Sequence, residues 1–106
     1  MTYVTKLDES EFNHVRQSAG VAVVDFYADW CGPCKALAPI LERVAERHPE
    51  VSIKKINVDE DESAAGRYGV KGIPTLVFLR DGLEVGRIIG LASEKAIEDA
   101  FERVNE

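Results

Sequence analysis

The 106-residue chain has few cysteines, one tryptophan, one methionine and no long apolar run. Its two cysteines are too few for the disulfide framework that holds many small secreted domains together. A membrane-spanning helix needs roughly 20 consecutive apolar residues, and no stretch of the chain approaches that length. The sequence therefore predicts neither a disulfide scaffold nor a membrane protein.

An excess of positive charge is also missing. Thirteen Lys and Arg residues are scattered among nineteen Asp and Glu residues, which gives a net charge of −6. A nucleic-acid-binding protein is expected to carry a basic face, so we expect neither nucleic acid nor an anionic membrane surface as a partner. The acidic run DEDE at residues 59–62 is interpreted as the solvated start of a helix.

The N-terminus lacks the basic region and apolar core of a signal peptide, so we expect a cytoplasmic protein. Apolar residues make up 45% of the chain and charged residues 30%, a mix typical of a soluble globular protein. The length suits one hydrophobic core. We therefore predict a single domain over residues 1–106, and we expect a monomer.

The apolar periodicity alternates between strand and helix. Strands are predicted at residues 2–7, 21–28, 51–59, 75–79 and 84–90. Helices are predicted after Asp8, from a first turn that contains Pro33, over about 60–68, and after Ser93. The first strands should be parallel, with right-handed crossovers, whereas the Asp81-Gly82 turn predicts an antiparallel hairpin. The predicted fold is α/β, a central mixed five-stranded sheet flanked by four helices in the order βαβαβαββα.

The second helix has the clearest pattern. Its apolar residues follow the i, i+3, i+4, i+7 spacing of one helix face: Leu37, Ile40, Leu41, Val44 and Ala45. Pro33 suits the first turn, where a missing N–H costs nothing. Pro39 lies inside the pattern, and we expect it to kink the helix.

The only two cysteines, Cys31 and Cys34, are separated by Gly32 and Pro33. A disulfide closing so short a loop stabilises a fold less than one closing a long loop, so the pair points to chemistry. A structural zinc site needs four ligands, but the chain has no second cysteine pair and its histidines fall on different predicted helices. A c-type haem would need His at position 35, which is Lys35. Redox chemistry is therefore favoured over a metal site.

Asp25 is an acidic residue inside the apolar run of residues 21–28. A carboxylate in a strand covered on both faces loses solvation, which raises its pKa. Such a group charges near neutral pH and can accept or return a proton. The alternative is a polar core residue whose hydrogen bonds are satisfied by backbone and water.

Several motifs together resemble the thioredoxin family, from about Leu7 to the C-terminus. They are the WCGPC pentapeptide (Trp30 to Cys34), Asp25 in the preceding strand, Lys55 in KKINVD, Pro74 in GIPT, and Gly82 and Gly90 near the last strand. One departure is visible, since family members commonly have Trp where this chain has Tyr27.

The resemblance implies a thioredoxin fold and a role for each motif residue. Cys31, at the helix start where a thiolate is favoured, attacks a disulfide. Cys34, one turn on and expected to be more enclosed, resolves the mixed disulfide. From its expected burial we hypothesise that Asp25 acts through water as the base for Cys34, and that Lys55 on the adjacent strand moderates its charge.

The implied substrate surface surrounds a cis Ile73–Pro74 peptide bond. Its expected members are Trp30, Gly32, Pro33, Ile73, Pro74 and Gly90. The backbone of Ile73 is expected to pair with an extended substrate segment, as a strand added at an edge.

The implied function is that of a protein-disulfide reductase, since the Gly-Pro dipeptide resembles that of the family's reductants. Its implied partners are disulfide-containing proteins and a flavoprotein thioredoxin reductase that draws on NADPH, with no cofactor bound to the chain itself. Two alternatives remain open. The pair could run in reverse, as an oxidant or isomerase, or the chain could be a binding module with incidental thiols.

Overall fold

A computed structural model describes residues 3–105, and its elements follow the predicted order. They are β1 (Thr5–Lys6), α1 (Glu9–Val15), β2 (Val21–Tyr27), α2 (Gly32–Arg47), β3 (Ser52–Asn57), α3 (Glu62–Arg67), β4 (Thr75–Arg80), β5 (Leu83–Ile89) and α4 (Glu94–Val104). The five strands form one mixed sheet, so the predicted α/β class and element order are confirmed.

The strand order across the sheet is β1-β3-β2-β4-β5. β3 pairs in parallel with both β1 and β2, whereas β4 pairs antiparallel with β2 and β5. β2 therefore lies at the centre, and its Asp25 is flanked by Lys55 on β3 and Leu76 on β4. A central position explains why the strand is apolar throughout except at Asp25.

The sheet has a buried apolar layer on each face. On one face, Leu37, Leu41 and Val44 of α2 pack with Ile97 and Phe101 of α4. On the other face, residues of α1 and α3 pack against β2 and β4, among them Phe12, Phe26, Ala64 and Val77. With helices covering both faces, the carboxyl end of β2 is left as the place where a loop can carry side chains to the surface.

Side-chain caps start three of the four helices. Asp8 and Glu11 form the predicted capping box of α1. Ser93 accepts from the backbone N of Ala96 at the start of α4. The cap of α2 is Cys31, whose sulfur takes the place that an oxygen usually occupies.

The DEDE run at 59–62 is only partly the helix start that the sequence predicts. α3 begins at Glu62, and its cap Asp61 makes no side-chain hydrogen bond. Asp59 lies before the helix, in a turn in which its backbone N donates to Asn57 Oδ1 at 2.8 Å. This turn ends β3 at Asn57, two residues before the predicted end. The Asp59 carboxylate is therefore not part of the helix start, and it accepts a hydrogen bond from the Trp30 side chain.

The first strand is also shorter than predicted. It covers Thr5–Lys6, and residue 2 of the predicted 2–7 strand lies outside the described residues. Leu7 continues the edge pairing with one backbone hydrogen bond to Lys55 O at 2.8 Å. Over residues 3–105, no helix is both long and apolar enough to cross a membrane.

Candidate active site

The two cysteines lie where the loop after β2 enters α2. Cys31 is the N-cap residue, with an extended backbone, and its Sγ accepts a hydrogen bond from the backbone N of Cys34 at 3.2 Å. Pro33, in the first turn, contributes no N–H of its own. The first turn also contains no acidic residue. The N–H groups and dipole of α2 therefore favour negative charge at the Cys31 sulfur.

Cys31 and Cys34 form a disulfide, with their Cα atoms 5.2 Å apart. Each cysteine is 4% exposed, so the prediction that Cys34 is the more enclosed is wrong for this oxidised form. The physical reason is that Cys31 is covered as well. Both cysteines pack in one apolar cluster with Ala28, against Tyr27, Val58 and Ile73.

The Ile73–Pro74 peptide bond is cis, as the resemblance implied, and the segment lies against the cysteines. Cys31 Sγ is 3.8 Å from Ile73 O, which is a packing contact, since a disulfide sulfur carries no proton to donate. Gly90 N donates to Pro74 O at 2.8 Å. Pro74 is buried and Ile73 is half-buried, so the Pro74 ring lies beneath the predicted surface and is not part of its exposed area.

Asp25 is the unusual polar group of the core. It is 3% exposed, and its Oδ1 is buried without a hydrogen-bond partner among the described residues. Burial raises the pKa of Asp25 from 3.8 to about 7, although the positive charge of Lys55 opposes the rise. The predicted direction and cause of the shift are thus confirmed. Of the alternative, a core residue satisfied by backbone and water, the backbone part does not apply to Oδ1 among the described residues.

A cleft of about 140 Å³ connects Asp25 with the disulfide. Its lining comprises Asp25, Tyr27, Ala28, Asp29, Cys34, Lys35, Ala38 and Lys55. The volume exceeds the space that one water molecule needs. The structure therefore brings together Asp25, Cys34 and Lys55, three residues that are far apart in the sequence.

Trp30 is 70% exposed beside the cysteines, and its Nε1 donates to Asp59 Oδ2 at 2.8 Å. This hydrogen bond fixes a large apolar ring at the surface. Gly32 and Pro33 are exposed beside it, and Gly90 is half-buried. The contribution of Asp59 was missed from the sequence, because nothing local distinguishes it from the other acids of its run.

Two further apolar residues border this surface and were also missed. Ile89 is 69% exposed and Leu91 is 55% exposed, one on each side of Gly90. Gly90 has φ +93°, a conformation that residues other than glycine rarely adopt. The signal was present in the sequence as an apolar residue on both sides of a glycine that follows the last strand.

The acidic and histidine residues of the described chain do not form a metal centre. Among residues 3–105, no group of three or more His, Cys, Asp or Glu side chains is placed to hold a metal ion. The two histidines lie at different places, His14 in α1 and His48 at the end of α2.

Comparison with known proteins gives one consistent result. A family model described as Thioredoxin matches residues 3–103. Two curated thioredoxins are similar to the chain: that of Chlamydia pneumoniae is 44% identical over 86 residues, 81% of this chain and 84% of the relative. That of Bacillus subtilis is 41% identical over 97 residues, 91% of this chain and 92% of the relative.

A solved structure agrees with the sequence relatives. A mutant thioredoxin from Halobacterium salinarum superposes with a TM-score of 0.89 at 41% sequence identity. The match covers 96% of this chain and 90% of that chain.

Proposed function

We propose that Cys31 attacks and Cys34 resolves in this chain, which belongs to the thioredoxin family and is a thiol–disulfide oxidoreductase that reduces protein disulfides. The observation that carries this division is the N-cap position of Cys31. Its sulfur accepts the Cys34 backbone N–H at the start of α2, whereas Cys34 lies inside the first turn.

The first step is attack by the Cys31 thiolate on one sulfur of a substrate disulfide. A bond forms between Cys31 Sγ and that sulfur, the substrate S–S bond breaks, and the second substrate sulfur leaves as a thiolate. Only a thiolate is the nucleophile in this exchange. The helix start favours that form of Cys31 because unpaired N–H groups and the helix dipole point toward its sulfur.

The second step is attack by Cys34 on Cys31 Sγ. The Cys31–Cys34 disulfide forms, the mixed disulfide breaks, and the first substrate sulfur leaves and takes up a proton. The dithiol thus gives two electrons and two protons to the substrate. Cys34 must lose its proton first, and Asp25 is the base that we assign to it, acting through water in the cleft that both residues line.

The exposed surface beside Cys31 fits a disulfide within a protein chain. Trp30 gives it an apolar wall, and further apolar area comes from Ile73 in the loop before β4 and from Ile89 and Leu91 on either side of Gly90. The glycines and Pro33 leave this area open to an approaching backbone. We assign to the Ile73 backbone the role of pairing with an extended substrate segment as an added strand, and its contact with the Cys31 sulfur supports this assignment.

The oxidised pair must be reduced again for turnover. We assign this step to a flavoprotein thioredoxin reductase that takes its electrons from NADPH, as the family resemblance implies. A reductant-dependent cycle suits the cytoplasm, where thiols are kept reduced, so we propose that location. We also propose that residues 1–106 form one domain and act as a monomer.

The test is a trapping experiment with two matched variants. In Cys34→Ser, Cys31 can still attack, so protein substrates should accumulate as mixed disulfides that a thiol reductant releases. In Cys31→Ser, the nucleophile at the helix start is absent and no such complexes should form. Equal trapping by both variants would overturn the assigned roles.

A further inference from the structure

Tyr27, Asp25 and Lys55 lie on one face of the sheet. Asp25 and Tyr27 are two residues apart in β2, so their side chains leave the same face. Lys55 is the register partner of Asp25 on β3. All three side chains line the cleft that reaches Cys34.

Lys55 contacts the aromatic ring of Tyr27. Its Nζ is 5.3 Å from the ring centre, within the range of a cation–π interaction. Among the described residues, no carboxylate oxygen lies within 4.0 Å of Lys55 Nζ, and Asp25 Oδ1 has no hydrogen-bond partner. The ammonium group therefore stays near Asp25 without forming a direct ion pair with it.

Other charged groups surround this cleft. Asp29, from the loop after β2, and Lys35, from α2, belong to its lining. Lys6 of β1 and Glu60 of the turn after β3 form an ion pair with each other at 2.5 Å. Both lie close enough to Tyr27 to influence the pKa of its hydroxyl, which Lys6 lowers and Glu60 raises. The positive charge of Lys55 lowers the pKa of Asp25, against the larger effect of burial, which raises it.

We propose that Tyr27 is a positioning residue whose ring holds the Lys55 ammonium beside the cleft, where its positive charge favours the ionised form of the Asp25 carboxyl. The proposal rests on the proposed function, because the proton affinity matters to turnover if Asp25 serves Cys34. It gives a role to the position at which the chain departs from the tryptophan common in the family.

The physical argument concerns where Lys55 goes without the ring. An ammonium group on a flexible stem is strongly hydrated, and a buried ion pair with Asp25 would cost desolvation. Removal of the ring therefore releases Lys55 toward water. Asp25 then loses part of the positive charge that lowers its pKa, and the carboxyl holds its proton more tightly.

The test is a double-mutant cycle read from the titration of Asp25. Its side-chain carboxyl carbon is followed by NMR in the oxidised protein across a pH range of about 4–10. Tyr27→Leu replaces the aromatic face with a smaller aliphatic side chain, and we expect the pKa of Asp25 to rise by about 0.3–0.7 unit. Tyr27→Phe and Tyr27→Trp keep a ring and should stay within about 0.2 unit of the starting protein.

The same Tyr27→Leu change is then made in a Lys55→Met background. There we expect no further shift, since the charge that the ring positions is already gone. A shift of equal size in both backgrounds, a fall in pKa, or a Tyr27→Phe variant that behaves as Tyr27→Leu does would each overturn the proposal.

A second readout tests the consequence for turnover. In Tyr27→Leu, the midpoint of the pH profile of mixed-disulfide resolution should shift to higher pH by the same amount as the pKa of Asp25. An unmoved profile would contradict a role in the reaction. The titration itself needs no assumption about the cysteines, so a failed trapping experiment and a failed titration would be told apart.

Discussion

The two ends of α2 differ in how fully their polar groups are satisfied. At the N-terminal end, the cap is a sulfur, the first turn has no acid, and Asp25 Oδ1 lies buried nearby without a partner among the described residues. At the C-terminal end, Arg47 pairs with both Glu94 and Glu98 of α4.

His48 completes the C-terminal end. Its Nε2 is 2.8 Å from Glu98 Oε2 and its Nδ1 is 3.2 Å from Glu50 Oε1. Its ring packs edge-on against Phe101, with centroids 5.3 Å apart. The hydrogen bond between His48 and Glu98 raises the pKa of His48 and lowers the pKa of Glu98.

The polar groups at the two ends of α2 therefore have different functions. Paired charges join α2 to α4 and add a small amount of stability. The unpartnered carboxyl of Asp25 costs stability, and both this carboxyl and the Cys31 sulfur at the helix cap keep their capacity to react. Substitutions at the N-terminal end should therefore change the reaction rate, whereas substitutions at the C-terminal end should change only stability.

The sharpest contrast is expected between Cys31→Ser and Glu98→Gln. Loss of the nucleophile should lower protein-disulfide reduction by at least about 10³-fold. Glu98→Gln changes only the distant ion-pair cluster and should leave the rate within about twofold. A standard assay of insulin disulfide reduction measures both. A reduction rate in Cys31→Ser close to that of Glu98→Gln would show that the N-terminal end of α2 is not the reactive end.

Asp25→Asn should change both rate and stability. The pKa of Asp25 is raised to about 7, so this carboxyl supports the fold at low pH and that support is lost as pH rises through about 7. The stability gained by Asp25→Asn should therefore grow by about 2–4 kcal/mol between about pH 4 and pH 8. Denaturant unfolding at several pH values measures it.

The same variant should slow mixed-disulfide resolution, because the base for Cys34 is gone. We expect a loss of about tenfold or more near pH 7. Asp61→Asn, which removes a carboxylate outside the cleft, is the control and should change neither property. An unchanged resolution rate in Asp25→Asn across about pH 6–9 would remove Asp25 from the reaction.

Ile89→Ser tests the substrate surface with a matched control on the same strand. Ile89 and Leu83 are similarly exposed, at 69% and 72%, but lie at opposite ends of β5. Ile89→Ser should lower kcat/KM for a protein disulfide by about 3–10-fold, the effect of one apolar contact. Leu83→Ser should leave it unchanged, and neither should affect a small aromatic disulfide. Equal effects of Ile89→Ser and Leu83→Ser on kcat/KM would show that the surface beside Cys31 does not bind the protein substrate.

The smallest effect is expected at His48. Because its folded pKa is raised above 6.5, the stability that it contributes is present below pH 6.5 and is lost as pH rises through the folded pKa. His48→Gln should cost less than about 1 kcal/mol near pH 5.5 and nothing from this source above about pH 9. In a Glu98→Gln background this pH dependence should shrink. Thermal unfolding of both proteins at several pH values measures whether the stability difference decreases as pH rises.

Much of the fold follows from local signals in the sequence. The buried β2 and the periodic face of α2 were predictable because one continuous apolar run and one helical repeat leave few alternatives. The caps Asp8 and Ser93 were predictable because Asp or Ser directly before a helical pattern is a typical N-cap residue. Strand order was not predicted, since it depends on how the crossovers pack the helices on the two faces.

The site was predictable where its residues are adjacent in sequence or carry an unusual chemistry. Cys31, Cys34 and Asp25 meet this condition. The Trp30–Asp59 hydrogen bond and the burial of Pro74 do not, because they arise only when the loops after β2, β3 and α3 meet in space. The equal burial of the two cysteines has the same origin, since the Ile73 segment covers Cys31.

The most direct test of the account is the alkylation rate of each thiol in the reduced protein. Reduced protein is treated with iodoacetamide near pH 7, and mass spectrometry follows the modification of Cys31 and Cys34 with time. If the start of α2 favours the Cys31 thiolate, Cys31 should react at least about tenfold faster than Cys34. Equal rates, or faster reaction at Cys34, would show that the helix start does not make Cys31 the nucleophile.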